Sequence, residues 1–436
     1  MKSPSAESLI TRMWGGLVSV IGPVSAIAAV VPGTARLGKA ARLQTILPYT
    51  RSMLSRYNSA AMTQTRLKPA ATEIDGAPDP TFGGVPMRVM QVMAGARHGG
   101  AETQFVNLVL ALNRAGLDQR AVIRRNPARA DALRAGGVDP LELAFGSWTD
   151  VVTVPALKRE VASYQPDIVL TWMNRASKMF PTGEFLRLGR LGGYYDVKYY
   201  RRCNHLIGNT QDIVEHVVQH GWPRARAHLM LNFANVRDLP AISRATLNTP
   251  EDAVVIVALG RLHEAKAFDT LLQALAVEQR PYLWLAGEGP LRRELELLAG
   301  TLGIADRVRF LGWRDDREAL YAAADICIVP SRHEPFGSVT VEAWANRLPL
   351  VATASAGPAA LIHDDQDGLL VPIDDVPAMA ASLTRLMDEP DLGPRLVEAG
   401  QRCYQADFTE AAAVARWLGL FRRLLATRAG GRMATR

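Results

Sequence analysis

Two carboxylates flank a small-residue turn in the stretch HEPFGSVTVEA. Glu334 and Glu342 stand eight positions apart, with Gly337-Ser338 between them and the apolar segment ICIVP before them. That segment predicts a buried strand, and a helix is predicted from Ser338, so that free backbone N–H groups at the helix start can bind phosphate. Glu334 on the loop suits sugar hydroxyls, and Glu342, about one turn inside the helix, suits a ribose diol. The alternative, a capping and solubilising pair of acids, is disfavoured by the PFGS loop.

A pair of cations follows another apolar segment. In VALGRLHEAK, Gly260 and Arg261 come directly after a predicted strand, and Lys266 stands five residues beyond Arg261, before a predicted helix. Two fixed cations at a strand end can hold a diphosphate and stabilise its charge as it leaves. Solvated surface charges are the alternative, and the position at the end of a strand favours the functional interpretation.

Two glycine-containing turns also follow predicted strands. Gly99-Gly100 in RHGGAE precedes a helix and lets the backbone approach a ligand closely, although its spacing is not the dinucleotide fingerprint. His98 beside them is as consistent with an ordinary loop histidine as with a catalytic group. Gly287 in LAGEGPL fits equally well a turn that borders a nucleotide base and a plain turn into a helix.

The acidic residues do not predict a metal site. Asp365-Gln366-Asp367 formally matches a DxD metal motif, but a glycine and a strand follow it, so a turn is the better interpretation. Other acids lack metal-ligand spacing, and Arg261 and Lys266 would supply the positive charge. We therefore expect no metal and no other cofactor.

Strands and helices alternate along most of the chain, and the alternation begins twice, at Arg88 and near residue 253. Such alternation predicts parallel sheets covered by helices. We therefore expect an α/β fold of two Rossmann-like, doubly wound domains that face a central cleft. The first domain is placed at residues 86–235, the second at 236–408, and a final helix at 409–436 is expected to pack back on the first domain. Ligands of such sheets lie beyond the carboxyl ends of the strands.

Residues 1–85 stand outside this alternation. Their uncharged segment 13–32 is nearly long enough to span a bilayer, although its Gly, Ser and Pro content weakens it as a helix. The extension is predicted to be poorly ordered, and membrane association is the alternative.

The composition is that of a globular chain. Of 436 residues, 48% are hydrophobic and 21% are charged, and the three scattered cysteines do not suggest a disulfide framework, which favours a cytoplasmic setting. The net charge is +7, divided as +5 in residues 1–85, +7 in 86–235 and −5 in 236–436. The basic first half is expected to meet an anionic partner: a membrane, a nucleic acid or a phosphorylated substrate.

Together the motifs resemble the retaining GT-B glycosyltransferases of family 4. HEPFGSVTVEA is similar to the family's E-x7-E signature, GRLHEAKAFDTLLQAL to its G-R-L…K-G…LL segment, and RHGGAE to its N-terminal Gly-Gly loop. The resemblance implies a nucleotide-sugar in the second domain and an acceptor in the first. It implies that Arg261 and Lys266 neutralise the leaving diphosphate, that Glu334 contacts the donor sugar, and that Glu342 holds the ribose. The rest of the donor-binding set that it implies consists of Gly99, Gly100, Gly260, Gly337, Ser338 and Val339.

The chain departs from this family at two places. Many members have glycine after the lysine of the second domain, where this chain has Ala267. Many carry a histidine after a mid-domain strand, where this chain offers Trp172 and Asn174. Asn174 and His98 are therefore further candidates for a contact with the donor.

Basic and aromatic segments suggest where the acceptor binds. The stretch RLGRLGGYYDVKYYRRC, residues 187–203, mixes basic residues with four tyrosines, which suits a membrane interface or an anionic acceptor, with a solvated surface as the alternative. The last helix, ARWLGLFRRLLATR, is basic and amphipathic and also suits lipid. Because no nucleic-acid-binding signature accompanies them, we expect no nucleic-acid partner.

The expected function is that of a glycosyltransferase with a lipid-linked, lipopolysaccharide or polysaccharide acceptor at the cytoplasmic face of the membrane. A sugar-nucleotide epimerase or phosphorylase of the same fold is one alternative. A catalytically inactive sugar-nucleotide-binding protein is the other.

Overall fold

The computed structural model describes residues 79–433, apart from His98 and residues 147–149. Most of the extension predicted for residues 1–85, including the apolar segment 13–32, lies outside the described residues. The last part of the extension forms a short antiparallel hairpin of β1 (Thr81–Phe82) and β2 (Val85–Pro86).

Seven parallel strands form the first sheet, in the order β5-β4-β3-β6-β7-β8-β9. The chain winds from the central strand β3 to one edge and returns to β6 on the other side of β3. The crevice outside the carboxyl ends of β3 and β6 is therefore the topological switch point, where ligands of doubly wound sheets bind. The strands are β3 (Arg88–Met93), β4 (Asp118–Arg124), β5 (Leu141–Leu143), β6 (Ile168–Trp172), β7 (Leu186–Leu191), β8 (His205–Gly208) and β9 (Ala227–Leu229).

Six parallel strands form the second sheet, in the order β12-β11-β10-β13-β14-β15. Here β10 and β13 flank the switch point, and β10 is buried along its whole length. The strands are β10 (Val255–Leu259), β11 (Tyr282–Ala286), β12 (Val308–Gly312), β13 (Ile326–Val329), β14 (Leu350–Thr353) and β15 (Leu369–Val371). The predicted fold class, two doubly wound Rossmann-like domains, is confirmed.

Helices connect the strands and cover the two sheets. One of them, α5 (Gln211–Gln219), follows Thr210, whose hydroxyl accepts a hydrogen bond of 3.2 Å from the Ile213 N–H and so caps the helix. None of the described helices is both long and apolar enough to cross a bilayer. The helices are α1 (Gly100–Arg114), α2 (Pro127–Ala135), α3 (Thr153–Tyr164), α4 (Met173–Met179), α5 (Gln211–Gln219), α6 (Phe268–Val277), α7 (Arg292–Thr301), α8 (Arg317–Ala323), α9 (Ser338–Ala345), α10 (Ala356–Leu361), α11 (Val376–Asp388), α12 (Leu392–Cys403) and α13 (Glu410–Met433).

The last helix, α13, belongs to the core of the first domain. Its residues Trp417, Leu418 and Phe421 are almost fully buried and share one hydrophobic cluster with α1 and with strands β3 and β6. Burying an apolar side chain of this size stabilises a fold by roughly 1.5–3 kcal/mol. Because this apolar face is covered by protein, the expectation that the helix lies on lipid is wrong for that face.

The chain passes twice between the domains, and the two passages touch. The Ala234 N–H donates a hydrogen bond of 3.2 Å to the Phe408 carbonyl, and the Tyr404 hydroxyl donates one of 3.3 Å to the Ala234 carbonyl. The described residues of both domains belong to one compact unit. Residues after Phe408 therefore return directly to the first domain as α13.

Strand β7 was not predicted. It is buried at every position, yet it contains Arg187 and Arg190, which are 2% and 4% exposed. The prediction of a solvated or lipid-facing surface across residues 187–203 is therefore wrong for its first five residues. Buried arginines interrupt the apolar run by which a central parallel strand is recognised.

Candidate active site

The loop after β13 carries Glu334 to the carboxyl edge of the second sheet. The Gly357 N–H donates a hydrogen bond of 2.7 Å to the Glu334 carbonyl, and a Cβ added at Gly357 would lie 2.7 Å from the same oxygen. Only a glycine therefore allows α10 to approach this loop so closely. On the other side, the His333 N–H donates to the Ala265 carbonyl at 3.1 Å, which joins the loop to the one after β10.

The side chains of Glu334 and Lys266 are paired with each other. The Lys266 ammonium donates a hydrogen bond to Glu334 Oε2, while Oε1 accepts one of 3.1 Å from the Gly337 N–H. The Lys266 side chain is 24% exposed and that of Glu334 is 14% exposed. Two of the predicted catalytic residues thus lie side by side with opposite charges. The ammonium has three N–H donors, and it keeps two for a ligand.

Helix α9 begins at this pair. Gly337 caps it in a left-handed conformation, with φ 86°, which residues with a Cβ rarely adopt. The Gly337 N–H is used by Glu334, whereas no acceptor for the N–H groups of Ser338 and Val339 is found among the described residues. The first N–H groups of a helix have no partner within the helix, and together with the helix dipole they attract an anion.

Arg261 lies on the loop after β10, five residues before Lys266 in the chain. Its side chain is exposed, and within the described ranges it makes no hydrogen bond or ion pair. An unpaired guanidinium here can bind an anion without first breaking an ion pair.

The backbones of the Gly260 and Gly287 loops are in direct contact. The Gly260 N–H donates to the Ala286 carbonyl at 3.0 Å, and a Cβ added at Gly287 would lie 1.8 Å from the Gly260 carbonyl oxygen. Packing between the loops after β10 and β11 accounts for the glycine at position 287. That the same turn borders a nucleotide base stays a prediction.

Ala267, which stands where many family members have glycine, has a left-handed backbone with φ 49° and ψ 39°. An alanine in this conformation costs roughly 1–2 kcal/mol. The turn between Lys266 and α6 therefore keeps the shape for which glycine is the usual residue.

Glu342 is held by α8. Arg317 Nη1 lies 3.0 Å from its Oε1, and the Tyr321 hydroxyl donates to its Oε2 at 2.8 Å. The charge of Glu342 is the main cause that raises the pKa of Arg317. Carboxylate oxygens offer about four acceptor positions, so Oε1 can still accept a hydrogen bond from a ribose hydroxyl.

On the first domain, the Gly-Gly loop is occupied by a carboxylate of the protein itself. The buried Glu102 accepts a hydrogen bond of 2.7 Å from the Ala96 N–H, and a Cβ added at Gly99 would lie 2.4 Å from Glu102 Oε2. The space beside Gly99 is therefore filled, whereas a Cβ at Gly100 would meet no atom within 4 Å. His98 lies outside the described residues.

A cleft between the carboxyl edges of the two sheets is lined by Glu334 and Ser338 of this site, whereas Arg261, Lys266 and Glu342 are not among its lining residues. Its free volume is about 110 Å³, below the roughly 300–1,000 Å³ of pockets that enclose a whole drug-sized ligand. Asn174 does not line the cleft, although its Oδ1 is buried without a hydrogen-bond partner among the described residues. The first domain contributes Gly100, Ala101, Gln104, Trp172, Met173, Arg190, Leu191, Gly192, Asn209 and Asn232, and the second contributes Glu334, Pro335, Phe336 and Ser338.

Comparisons with known proteins give the family. The family profile described as "Glycosyl transferases group 1" matches residues 253–389. The lipopolysaccharide core biosynthesis glycosyltransferase LpsD of Rhizobium meliloti is 36% identical over 346 residues, which are 78% of this chain and 100% of LpsD. The chain belongs to the group 1 glycosyltransferases. A second Rhizobium meliloti protein of the same description, LpsE, is 36% identical over 74% of this chain and 96% of its own length.

Solved structures show that this group 1 glycosyltransferase has the predicted GT-B fold. The Anabaena protein HepE, in complex with UDP and glucose, superposes with a TM-score of 0.64 at 19% identity, covering 79% of this chain and 100% of HepE. WaaG, a glycosyltransferase involved in lipopolysaccharide biosynthesis, superposes with a TM-score of 0.58 at 16% identity, covering 77% and 99%.

Several polar residues of this glycosyltransferase's cleft were not predicted. Arg190, Asn209 and Asn232 line it from the first domain, and Arg317 supports Glu342 from α8. The sequence offers a weak signal for Arg190 alone, a basic residue within the short apolar pattern LRLGRL. The other three have no local pattern, because they come from three separate segments of the chain.

The DxD match, Asp365-Gln366-Asp367, forms a turn in the glycosyltransferase. Asp367 is buried and accepts hydrogen bonds of 2.8 Å from the backbone N–H and from Nδ1 of His363. The described residues contain no group of three or more His, Cys, Asp or Glu side chains that could hold a metal ion.

Proposed function

We propose that this glycosyltransferase moves a sugar from a nucleotide-sugar donor to a lipopolysaccharide-type or other lipid-linked acceptor, with retention of the anomeric configuration. The observation that carries the proposal is the Lys266–Glu334 pair at the start of α9, on a loop that also carries the exposed Arg261 five residues before Lys266. The description of LpsD and LpsE as lipopolysaccharide core biosynthesis enzymes supports the class of acceptor.

In this proposal, the donor diphosphate is bound by groups of the second domain alone. Arg261 and Lys266 offset the negative charge of the diphosphate, and the N–H groups of Ser338 and Val339 donate to its oxygens. As the acceptor hydroxyl bonds to the anomeric carbon, the bond to the diphosphate breaks, the diphosphate keeps the electron pair, and the hydroxyl proton passes to the released diphosphate. Fixed cations stabilise that charge without a metal.

Glu334 is proposed to accept hydrogen bonds from the donor sugar. Its Oε2 accepts a hydrogen bond from the Lys266 ammonium, which leaves two N–H donors of that ammonium for the diphosphate. Glu342 is proposed to hold the ribose through Oε1, while Arg317 and Tyr321 keep its carboxylate in place.

A series of thermal-shift measurements with UDP-, GDP- and ADP-sugars tests the donor. A ligand that binds only the native state raises the melting temperature. At 100 times its Kd, such a ligand adds about 2.7 kcal/mol to the free energy of unfolding. We expect one nucleotide to stabilise the full chain and Arg261→Met to reduce the shift. If none of the nucleotide-sugars shifts the transition, the proposal is wrong.

The stereochemistry needs its own measurement. We expect NMR of the first-formed product to show the anomeric configuration of the donor sugar. An inverted product would remove retention from the proposal while leaving glycosyl transfer intact.

Association with the membrane is proposed for a basic surface of the first domain. Lys178, Lys198, Arg201 and Arg202 are exposed around a shallow depression of the protein surface that they line together. Each such cation near an anionic bilayer contributes about 1 kcal/mol. Peripheral binding at the cytoplasmic face would bring a lipid-linked acceptor to the cleft.

Liposome co-sedimentation tests the basic surface. Vesicles containing phosphatidylserine should bind the full chain more strongly than neutral vesicles, and a variant with Lys178, Arg201 and Arg202 changed to serine should lose the difference. If the wild type and the triple variant bind anionic vesicles equally, this basic surface does not bind the membrane.

A further inference from the structure

Arg190 is a buried cation that has no carboxylate partner in the part of the chain that the structure describes. Its side chain is 4% exposed, and its Nη2 donates a hydrogen bond of 2.6 Å to Asn232 Oδ1. The guanidinium carbon lies 4.2 Å from the ring centre of Trp172 and 5.5 Å from that of Trp417. Burial lowers the pKa of Arg190 to about 9, and no acidic side chain in the described residues raises it again.

Such an arrangement is unusual, because charged side chains are almost never fully buried unless they are paired. The two indole rings attract the cation, but they offer no lone-pair acceptor for its N–H groups. The N–H groups in the plane must find other acceptors, and Asn232 supplies one. A planar guanidinium with free in-plane donors is suited to two-pronged binding of an oxyanion.

The position of Arg190 is at the cleft rather than in the deep core. It pairs in register with Trp172 at the carboxyl end of the first sheet and lines the cleft together with Glu334 and Ser338 of the second domain. Asn209 lines the same cleft, is 5% exposed, and has an Oδ1 that is buried without a partner among the described residues. Two polar side chains at this edge therefore lack part of their hydrogen bonding.

We propose that Arg190, with Asn209 and Asn232, binds an oxyanion group on a sugar in the cleft, either a carboxylate or a phosphate ester. This inference rests on the proposed function, because the sugar must be part of the donor or the acceptor. Arg190 then selects anionic sugars, and Asn209 and Asn232 bind the neighbouring hydroxyls.

The donor's diphosphate is the less favoured occupant of this position. Arg261, Lys266 and the start of α9 already provide two cations and free N–H groups on the second domain. Glu334 also lines the cleft, but its negative charge is paired with Lys266. Arg190 therefore adds a cation from the first domain that no carboxylate among the described residues neutralises.

Arg187 provides a matched control. It lies on the same strand, is 2% exposed, and has two buried guanidinium nitrogens without partners among the described residues. Because it stands three residues from Arg190, its side chain leaves the opposite face of the sheet, where it donates to the Ser177 carbonyl and does not line the cleft. A buried, incompletely paired arginine away from the cleft should not affect ligand choice.

The test compares binding of anionic and neutral sugars by calorimetry on the full chain. One arm titrates UDP-glucuronate against UDP-glucose, which places the anion on the donor. The other arm titrates glucuronate and glucose 6-phosphate against glucose in the presence of saturating UDP, which places it on the acceptor. Both arms are run on the wild type, Arg190→Met and Arg187→Met.

We expect the anionic sugar to bind about 10- to 100-fold more tightly than its neutral counterpart in at least one arm. Arg190→Met should remove this preference and leave UDP binding unchanged, while Arg187→Met should keep it. The inference is overturned if the wild type shows no preference in either arm, if the preference survives in Arg190→Met, or if both variants lose it equally.

Two other results also decide the inference. If Arg190→Met does not fold, Arg190→Lys is measured instead, because lysine keeps the charge but lacks the planar fork of donors. A fall of threefold or more in the preference for the anionic sugar supports the inference, and a smaller fall overturns it. If the wild type binds no nucleotide at all, the proposed function fails with it, whereas nucleotide binding without anion preference refutes this inference alone.

Discussion

Replacing Lys266 by methionine tests the charge arrangement of the second domain. The substitution keeps most of the side-chain volume and removes the ammonium that pairs with Glu334. In the proposed function, this ammonium stabilises the diphosphate as it leaves. We therefore expect a large loss of rate with a much smaller loss of stability.

The magnitudes follow from the exposure of the pair. Exposed ion pairs contribute about 0–1 kcal/mol and breaking a fully buried one costs about 3–5 kcal/mol, so a pair that is 24% and 14% exposed should cost about 1–2 kcal/mol. Removing a group that stabilises developing charge in the transition state costs about 2.7–4 kcal/mol. The turnover number should therefore fall about 100- to 1,000-fold.

The assay is the initial rate of transfer from the radiolabelled donor that the thermal-shift series selects, with urea unfolding measured on the same preparations. Arg280→Met is the control, because Arg280 forms ion pairs with Glu278 and Asp388 just before β11, at the opposite edge of the sheet. It should lose stability without losing rate. A fall of less than about threefold for Lys266→Met, or an equal fall for Arg280→Met, would refute the role of the ammonium.

Three further predictions concern stability. Gly287→Ala should lower the free energy of unfolding in urea by more than about 3 kcal/mol, because the new Cβ would lie 1.8 Å from the Gly260 carbonyl oxygen. Gly300→Ala is the control: its Cβ would meet no atom within 4 Å, so it should be neutral or stabilise α7 by about 0.5–1 kcal/mol. Burial and a neighbouring histidine lower the pKa of His228 to about 4, so the unfolded chain binds the proton more tightly than the folded chain. The free energy of unfolding should therefore fall by about 1 kcal/mol per pH unit as the pH is lowered from 6.5 to 4. His228→Gln should reduce this slope. Phe421→Ala, which empties a fully buried position of α13, should cost about 3–5 kcal/mol, and a loss below 1 kcal/mol would mean that the helix is not anchored there.

Much of the fold could be predicted from local patterns. The apolar segments before Arg261 and before Glu334 were predicted to be strands, and β10 and β13 are buried along their whole length, because uninterrupted apolar runs between turn residues indicate buried parallel strands. Helix α9 begins at Ser338, as predicted. By contrast, β7 was missed, since two buried arginines gave it the polar pattern of a surface segment.

The candidate site was predictable where its residues are close in sequence and not where they are distant. Two loops could be predicted as binding sites because their charged and small residues are close together in the sequence. They are the loop from Glu334 to Ser338 and the loop from Arg261 to Lys266. That Lys266 pairs with Glu334, and Arg317 with Glu342, depends on the packing of segments that are far apart in the chain. The filling of the Gly99 loop by Glu102 depends on a side-chain conformation that residue spacing does not specify.

By itself the amino-acid sequence determined the class of this protein: two series of strands and helices, with small residues, cations and acids at the strand ends, because these depend on periodicity and residue type along a short stretch. Only the tertiary structure decided which charges are free. Arg261 is exposed, Lys266 is paired, and Arg190 is buried between two tryptophans at the cleft. Whether a charge is paired depends on solvent access and on the distance to its nearest partner, and both are properties of the packed molecule.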